Sequence, residues 1–251
     1  MVSFPLLAPG TLAAAELLQP GTTWQLLGPL NGYSRPCGAG LATQAWNGRH
    51  LQVLEPASSG NTRLRARLLD DGYPCWIETV ELLGRAQAAR SPQPRLLSTA
   101  AIVQRLAAVL AFGHAALEQP NHYLWGGSLG PHYDCSGLVQ RAFASAGIWI
   151  PRDAYLQERF CQPVAVHPGV LHALQAGDLI FFGTPQRCTH VGLHLGGGRY
   201  LHSSGLEHGR NGLGIDDLSP HNPDPVASHY RGQLRGAGRV VRCHDGSPLP
   251  A

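Results

Sequence analysis

The stretch GPHYDCSGLVQRAFASAG, residues 130–147, decides how the chain is read. Asp134 fits a helix N-cap, because a short carboxylate accepts from the unpaired N–H groups of a first turn. Leu138, Val139, Ala142, Phe143 and Ala146 then share one face at helical spacing. Gly147 fits the position just past the helix end. Cys135 becomes the first helical residue, with its sulfur near the positive end of the helix dipole. A thiolate there is stabilised, and its pKa can fall from about 8.5 toward roughly 3.5–7.5. Cys135 also reads as a small buried residue beside an ordinary cap, and this stretch alone favours that plainer reading.

A nucleophilic thiol needs a base. In THVGLHLGGGRYLHSSG, residues 189–205, the three glycines suggest a hairpin turn. With Leu195 and Arg199 flanking it, Gly192 opposes His202, and His190 lies diagonal to His202 on the same face. Diagonal neighbours are about 7–8 Å apart at the backbone, within reach of long polar side chains. One imidazole can then meet the thiol and the second can orient the first, the pattern of a thiol hydrolase. Two polar residues on a solvated face is the competing reading. A zinc site at Cys188, His190, His194 and His202 is a third, but Cys-x-His-x-x-x-His is not a standard zinc spacing.

Upstream, the pattern is helical through residues 91–120, with Ser98 and Thr99 as caps and Pro120 as the stop. Residues 121–133 are a Gly-rich loop. Downstream, GDLIFFG, the histidine hairpin and LRGAGRVVR read as strands. Helices followed by an antiparallel sheet make an α+β domain. Residues 22–85 differ: short strands lie between turn signals at Asn31-Gly32, Asn47-Gly48, Ser59-Gly60 and Asp71-Gly72. Leu64, Ala66 and Leu68 alternate with Arg63, Arg65 and Arg67, as in a half-exposed strand. This predicts a small all-β barrel. The expected order is an N-terminal extension (1–21), the barrel (22–85), a Pro- and Ala-rich linker (86–95), the α+β domain (96–245) and a tail (246–251).

Composition excludes several classes. All 19 basic residues among the 251 are arginine. Without a lysine amine, P-loop phosphate binding, kinase chemistry, Schiff-base catalysis and Ser-Lys dyads are out of reach. The net charge of +3 is mild and scattered, unlike a nucleic-acid footprint. The six dispersed cysteines form no CxxC pair and read as free thiols. The N-terminal stretch lacks a positive n-region, and Pro5, Pro9 and Gly10 break its apolar run, so no signal peptide is expected. No apolar run is expected to reach membrane-spanning length. These points lead to the expectation of a cytoplasmic protein, with export to the periplasm as the alternative, and without a membrane or nucleic-acid partner.

The motifs YDCSGLVQRAF, GDLIFFG, THVGLHLG and YLHSSG, in that order, resemble the NlpC-type cell-wall peptidases, and YLWGG and IPRDA belong to the same pattern. The barrel, with GYPCWI, is similar to a bacterial SH3-like domain. Together they resemble the two-domain γ-D-glutamyl-L-diamino-acid endopeptidases. The resemblance implies a papain-like α+β fold with Cys135 as nucleophile, His190 as base, His202 as orienting member and Tyr123 as a side-chain candidate for the oxyanion hole. It implies cleavage between γ-D-glutamate and a diamino acid, meso-diaminopimelate, in peptidoglycan stem peptides, with no cofactor and no metal. A barrel that closes one end of the groove implies a free N-terminal L-alanine. Its ammonium would need an anionic partner, for which Asp134, Asp70, Asp71 and Tyr73 are the candidates. Ser136 and Asp153 join the expected substrate contacts, and Arg152 is expected to pair with the D-glutamate carboxylate or to form an internal salt bridge. Cys75 departs from the glycine usual before the barrel tryptophan. A wall-binding module with an inactive papain-like half, and amidase or acyl-transfer chemistry on the same triad, are the alternatives.

Overall fold

The computed structural model describes residues 7–58, 60–167 and 169–249, in two units: Met1–Pro94 with Asp245–Ala251, and Arg95–His244. Ser59, in one of the expected turns, lies outside the described residues.

The first unit is one antiparallel sheet. Its elements are β1 (Thr23–Leu26), β2 (Leu30–Tyr33), β3 (Leu41–Ala45), β4 (His50–Glu55), β5 (Arg63–Leu68), β6 (Pro74–Glu78), a short helix α1 (Thr79–Leu82) and β7 (Ala86–Ala88), with strand order β3-β2-β6-β5-β4-β1-β7. The alternation in β5 holds: Leu64, Ala66 and Leu68 are fully buried against Trp24, Leu51, Val53 and Ile77. Arg63 is the exception. It is buried because Glu78 binds its Nε at 2.8 Å and the Tyr33 ring lies 3.5 Å beneath its guanidinium.

Three expectations are corrected. Asn31-Gly32 is not a turn but lies inside β2; Gly32 is required because a Cβ there would stand 2.8 Å from Cys75 Sγ. Residues 86–88 are not linker: β7 pairs with β1, and Leu12 bridges Gln87. The extension is only partly separate, since Ala13 and Leu18 are buried in the sheet's core.

The second unit opens with α2 (Thr99–Val103) and α3 (Leu106–Leu117), where one helix was expected. Ser98 caps α2, accepting from Ala101 N. The break falls at Gln104–Arg105, where the N–H of Arg105 bonds back only three residues and its guanidinium leaves to bind Ala146 O at 2.8 Å. By length and composition Thr99–Leu117 could cross a bilayer, with a mean hydropathy of 1.6, which corrects the expectation that no stretch is long enough. Ile102, Val109, Gly113 and Ala116 pack into the unit.

A two-stranded ribbon, β8 (Ser128–Leu129) and β9 (His132–Tyr133), leads into α4 (Cys135–Ser145), followed by α5 (Ala154–Phe160). The remaining elements are β10 (Gln162–Val164), β11 (Leu179–Gly183), β12 (Cys188–Gly196), β13 (Arg199–Ser204), β14 (Gly212–Asp217), α6 (Pro225–Arg231) and β15 (Leu234–Arg239). The six strands form an antiparallel sheet in the order β10-β15-β11-β12-β13-β14. Helix α4 lays Val139, Ala142 and Phe143 on Leu179, Phe181, Val191 and Leu193 of β11 and β12. Fully burying each large side chain contributes about 1.5–3 kcal/mol. This packing fixes the start of α4 against the middle of β12.

Candidate active site

Cys135 is N1 of α4, as the sequence predicts. Asp134 has extended backbone, and its Oδ1 accepts from Gly137 N at 2.7 Å. Glycine is required at 137 because a side chain would collide with the carbonyl oxygen of Gly127. Gly147 has φ +74 just past the helix end, as expected.

The hairpin differs at its tip but not at its histidines. The turn is two residues, Gly197-Gly198, both with positive φ, the conformation that matches the strand twist. Gly196 pairs with Arg199, and Leu195 is bulged out, so His194 still faces Tyr200 and Leu193 faces Leu201. The bulge restores the expected register. Gly192 does not make room for the imidazoles. Its missing side chain is replaced by the Tyr200 ring, 2.6 Å from where a Cβ would stand.

His190 Nε2 lies 2.8 Å from His202 Nδ1, and His202 Nε2 lies 2.6 Å from Asp216 Oδ2. Arg210 Nη2 donates to Asp216 Oδ1 at 2.8 Å. His202 is completely buried, and His190 and Asp216 are nearly so. The Tyr230 ring stacks on His190, centroids 4.1 Å apart and planes at 22°, and its hydroxyl is 2.8 Å from Ser204 Oγ. Cys135 approaches this file through Val191, the neighbour of His190. The thiolate form of Cys135 is favoured by backbone bonds from Val191 and Ser136. Since a thiolate only accepts, these are N–H donors. Burial and the nearby Asp134 outweigh them and push the Cys135 thiol up to about 12. Burial and the neighbouring His202 hold His190 well below its ordinary value. The isolated helix start suggested a lowered thiol pKa; burial reverses that sign.

The Tyr123 hydroxyl is raised by burial and by the charges of Cys135 and Asp134, which places it in electrostatic reach of the sulfur. Its backbone N–H is held by Asn211 Oδ1 at 3.1 Å.

Arg152 has the internal role. It is 1% exposed, with Nη1 3.0 Å from Asp134 Oδ1 and Nη2 2.7 Å from Oδ2. Ser136 lies in the same buried cluster, its Oγ accepting from Arg152 Nη1 at 2.9 Å. Both residues are thereby engaged within the fold, and the internal salt bridge is the one of the two expected roles of Arg152 that the geometry displays. Asp134 also accepts from Gly126 N at 2.9 Å. A substrate ammonium would add to two backbone donors, a hydroxyl and a bidentate arginine on a carboxylate with about four acceptor sites. Asp134 thus holds the cap role that the sequence predicts, a role compatible with a further contact to an amine. Asp153 is the N-cap residue of α5 without capping through its side chain, and it accepts from the Tyr155 hydroxyl.

In the first unit, Asp70 and Asp71 both bind Arg49, at 3.1 and 2.8 Å, and Asp71 also accepts from Tyr73 N at 3.2 Å. Asp71 is completely buried. The two loop acids expected to meet an amine form an internal ion-pair cluster with Arg49, and the Asp71 side chain is closed off from solvent. His194, considered for zinc, has Nδ1 2.8 Å from Gln175 O and Nε2 accepting from Gly198 N at 3.2 Å.

Asp216, Arg210 and Tyr230 were missed by sequence reasoning. For α6 the signal was present: Asp224 as cap, Pro225 at N1 and Gly232 at the end frame a helix that carries Tyr230. For Asp216 it was not, since only the β13–β14 register tells it from Asp217.

Comparison with known proteins agrees with this anatomy. Residues 120–233 match the NlpC/P60 family, and residues 32–82 match the bacterial dipeptidyl-peptidase Sh3 domain. A γ-D-glutamyl-L-lysine dipeptidyl-peptidase of Bacillus subtilis is 43% identical over 84 residues, covering 32% of this chain and 27% of that protein. One from Bacillus cereus is 41% identical over 116 residues, covering 45% and 32%. The chain thus spans about a third of the length of the curated relatives it matches. A solved NlpC/P60 family protein from Bacillus cereus aligns over 88% of this chain and 64% of its own, at 24% identity and a TM-score of 0.44. Residues 120–233 are an NlpC/P60 domain, and the sheet unit ahead of it carries a bacterial SH3 domain.

Proposed function

We propose that the chain is a cysteine peptidase of peptidoglycan stem peptides that hydrolyses the bond between γ-D-glutamate and the following diamino acid, with meso-diaminopimelate as the form to test first. Cys135 at the helix start, beside the bonded file His190–His202, carries this reading. Cys135 Sγ attacks the amide carbonyl while His190 takes the thiol proton. His190 then gives the proton to the leaving amine, and water, activated by the same imidazole, hydrolyses the thioester. His202 orients His190. The first-turn N–H groups and Tyr123 are the donors for the oxyanion.

The choice of bond draws on the relatives named γ-D-glutamyl-L-lysine dipeptidyl-peptidase. A dipeptidyl-peptidase releases two residues from a free amino terminus, and this chain carries an SH3 domain of that description. Its substrate is therefore a stem peptide with free L-alanine. The test offers L-Ala-γ-D-Glu-diaminopimelate and its muramyl-capped form to the purified chain. Release of L-Ala-γ-D-Glu from the free peptide alone is expected. Equal cleavage of both defeats the free-terminus claim, and cleavage of neither defeats the peptidase.

A further inference from the structure

The buried file beyond the candidate nucleophile has a direction. His202 is completely buried, and each ring nitrogen meets one protein group: Nδ1 meets His190 Nε2, and Nε2 meets Asp216 Oδ2 at 2.6 Å. Tyr200 and Tyr230 wall the ring, with centroids 5.0 and 4.9 Å away. A carboxylate only accepts, so the proton on His202 sits at Nε2. In a neutral ring Nδ1 is then bare and must accept, so His190 donates from Nε2. That leaves His190 Nδ1 as the bare nitrogen, free to take a thiol proton. Reversing the file would put the His190 proton on Nδ1 and remove that capacity.

The strand register builds this arrangement. His202 on β13 faces Gly214 on β14, and Asp216 is two residues further along the same face. Gly214 has no side chain, and the Arg210 guanidinium occupies the place a Cβ would take. Arg210 thereby reaches Asp216 at 2.8 Å and supplies the compensating charge that a nearly buried carboxylate requires.

We infer that Asp216, held by Arg210, is a positioning residue that fixes the tautomers of both His202 and His190 and so keeps the base nitrogen bare. The effect on turnover rests on the peptidase reading above; the tautomers do not. The first measurement is 15N–1H correlation of the histidine side chains in the unmodified protein at neutral pH. The expected result is Nε2–H on both residues. A proton on His202 Nδ1 overturns the inference without a variant having to fold. The second compares Asp216→Asn, whose amide can also donate, with Asp216→Glu. Asp216→Asn is expected to lower kcat by up to about 10⁴-fold at little changed KM, the loss seen when an amide imposes the wrong tautomer on a triad histidine. It should also mix the tautomers. Asp216→Glu should recover the wild-type pattern. Wild-type kcat and tautomers in Asp216→Asn overturn the inference. Expected tautomers in a protein that cleaves no stem peptide would defeat the peptidase reading and leave the inference standing.

Discussion

His202 meets His190 edge to edge, Nδ1 to Nε2 at 2.8 Å with ring planes at 89°, while Tyr230 lies flat along a face of the His190 ring. The base is thus fixed by one bond at its far nitrogen and one stacked ring. His202→Ala removes the bond and leaves the stack. It should reduce kcat/KM by up to about 10⁴-fold, the scale for losing the orienting member of a triad, whereas Cys135→Ala should abolish cleavage. Chromatographic release of L-Ala-γ-D-Glu from the free peptide measures both. Residual turnover in Cys135→Ala would remove the thiol from the mechanism.

Arg152 and Asp134 form a buried bidentate pair, and removing one charge strands the other. Arg152→Met is expected to destabilise the chain by about 3–5 kcal/mol. Arg152→Lys should recover only part, because an ammonium cannot present two parallel N–H groups. Urea unfolding followed by tryptophan fluorescence decides it. A stable Arg152→Met would show that the pair does not hold the fold together.

Gly137→Ala tests the tight approach of α4 to the Gly127 carbonyl. The obstacle is backbone, so α4 must shift away from the loop before it. Loss of activity together with a lower melting temperature is expected, despite alanine's higher helix propensity. An active variant with unchanged melting temperature would show that the contact yields easily.

Stability should peak in a neutral window. Burial lowers the pKa of His190 and His202, so below about 6.5 the unfolded chain binds more protons than the folded one, and stability falls as pH falls. Burial raises Cys75, Cys135, Cys161 and Cys188 to about 12, so above about 8.5 the unfolded thiols ionise first, and stability falls as pH rises. Melting temperatures at pH 5, 7.5 and 10 should be highest in the middle. Cys161→Ala should make the alkaline decline shallower. A melting temperature still rising from pH 7.5 to 10 would contradict the buried-thiol account.

Local features were the legible ones. The Asp134 cap, Cys135 at N1 and Gly147 at the end each follow from groups within one helix. The alternation of β5 gave its buried face. Longer-range features were opaque. Which acid meets Arg152, and that Arg49 gathers Asp70 and Asp71, depend on pairings 18 to 22 residues apart or between strands. Asn31-Gly32 carried a turn signal, yet its glycine serves the packing of Cys75 from another strand. The thiol's direction of shift was misjudged because dipole and cap are local, while burial is a property of the whole unit.

The bulge at Leu195 makes the hairpin tolerant of length. Pairing strands by one position more or less would turn every side chain to the opposite face. Here the surplus residue is taken up next to the turn, so Gly196 can be deleted and Leu195 would pair with Arg199 in its place, leaving His190 and His202 on their shared face. The tip of this hairpin can therefore vary by a residue without cost to the chemistry that its strands hold.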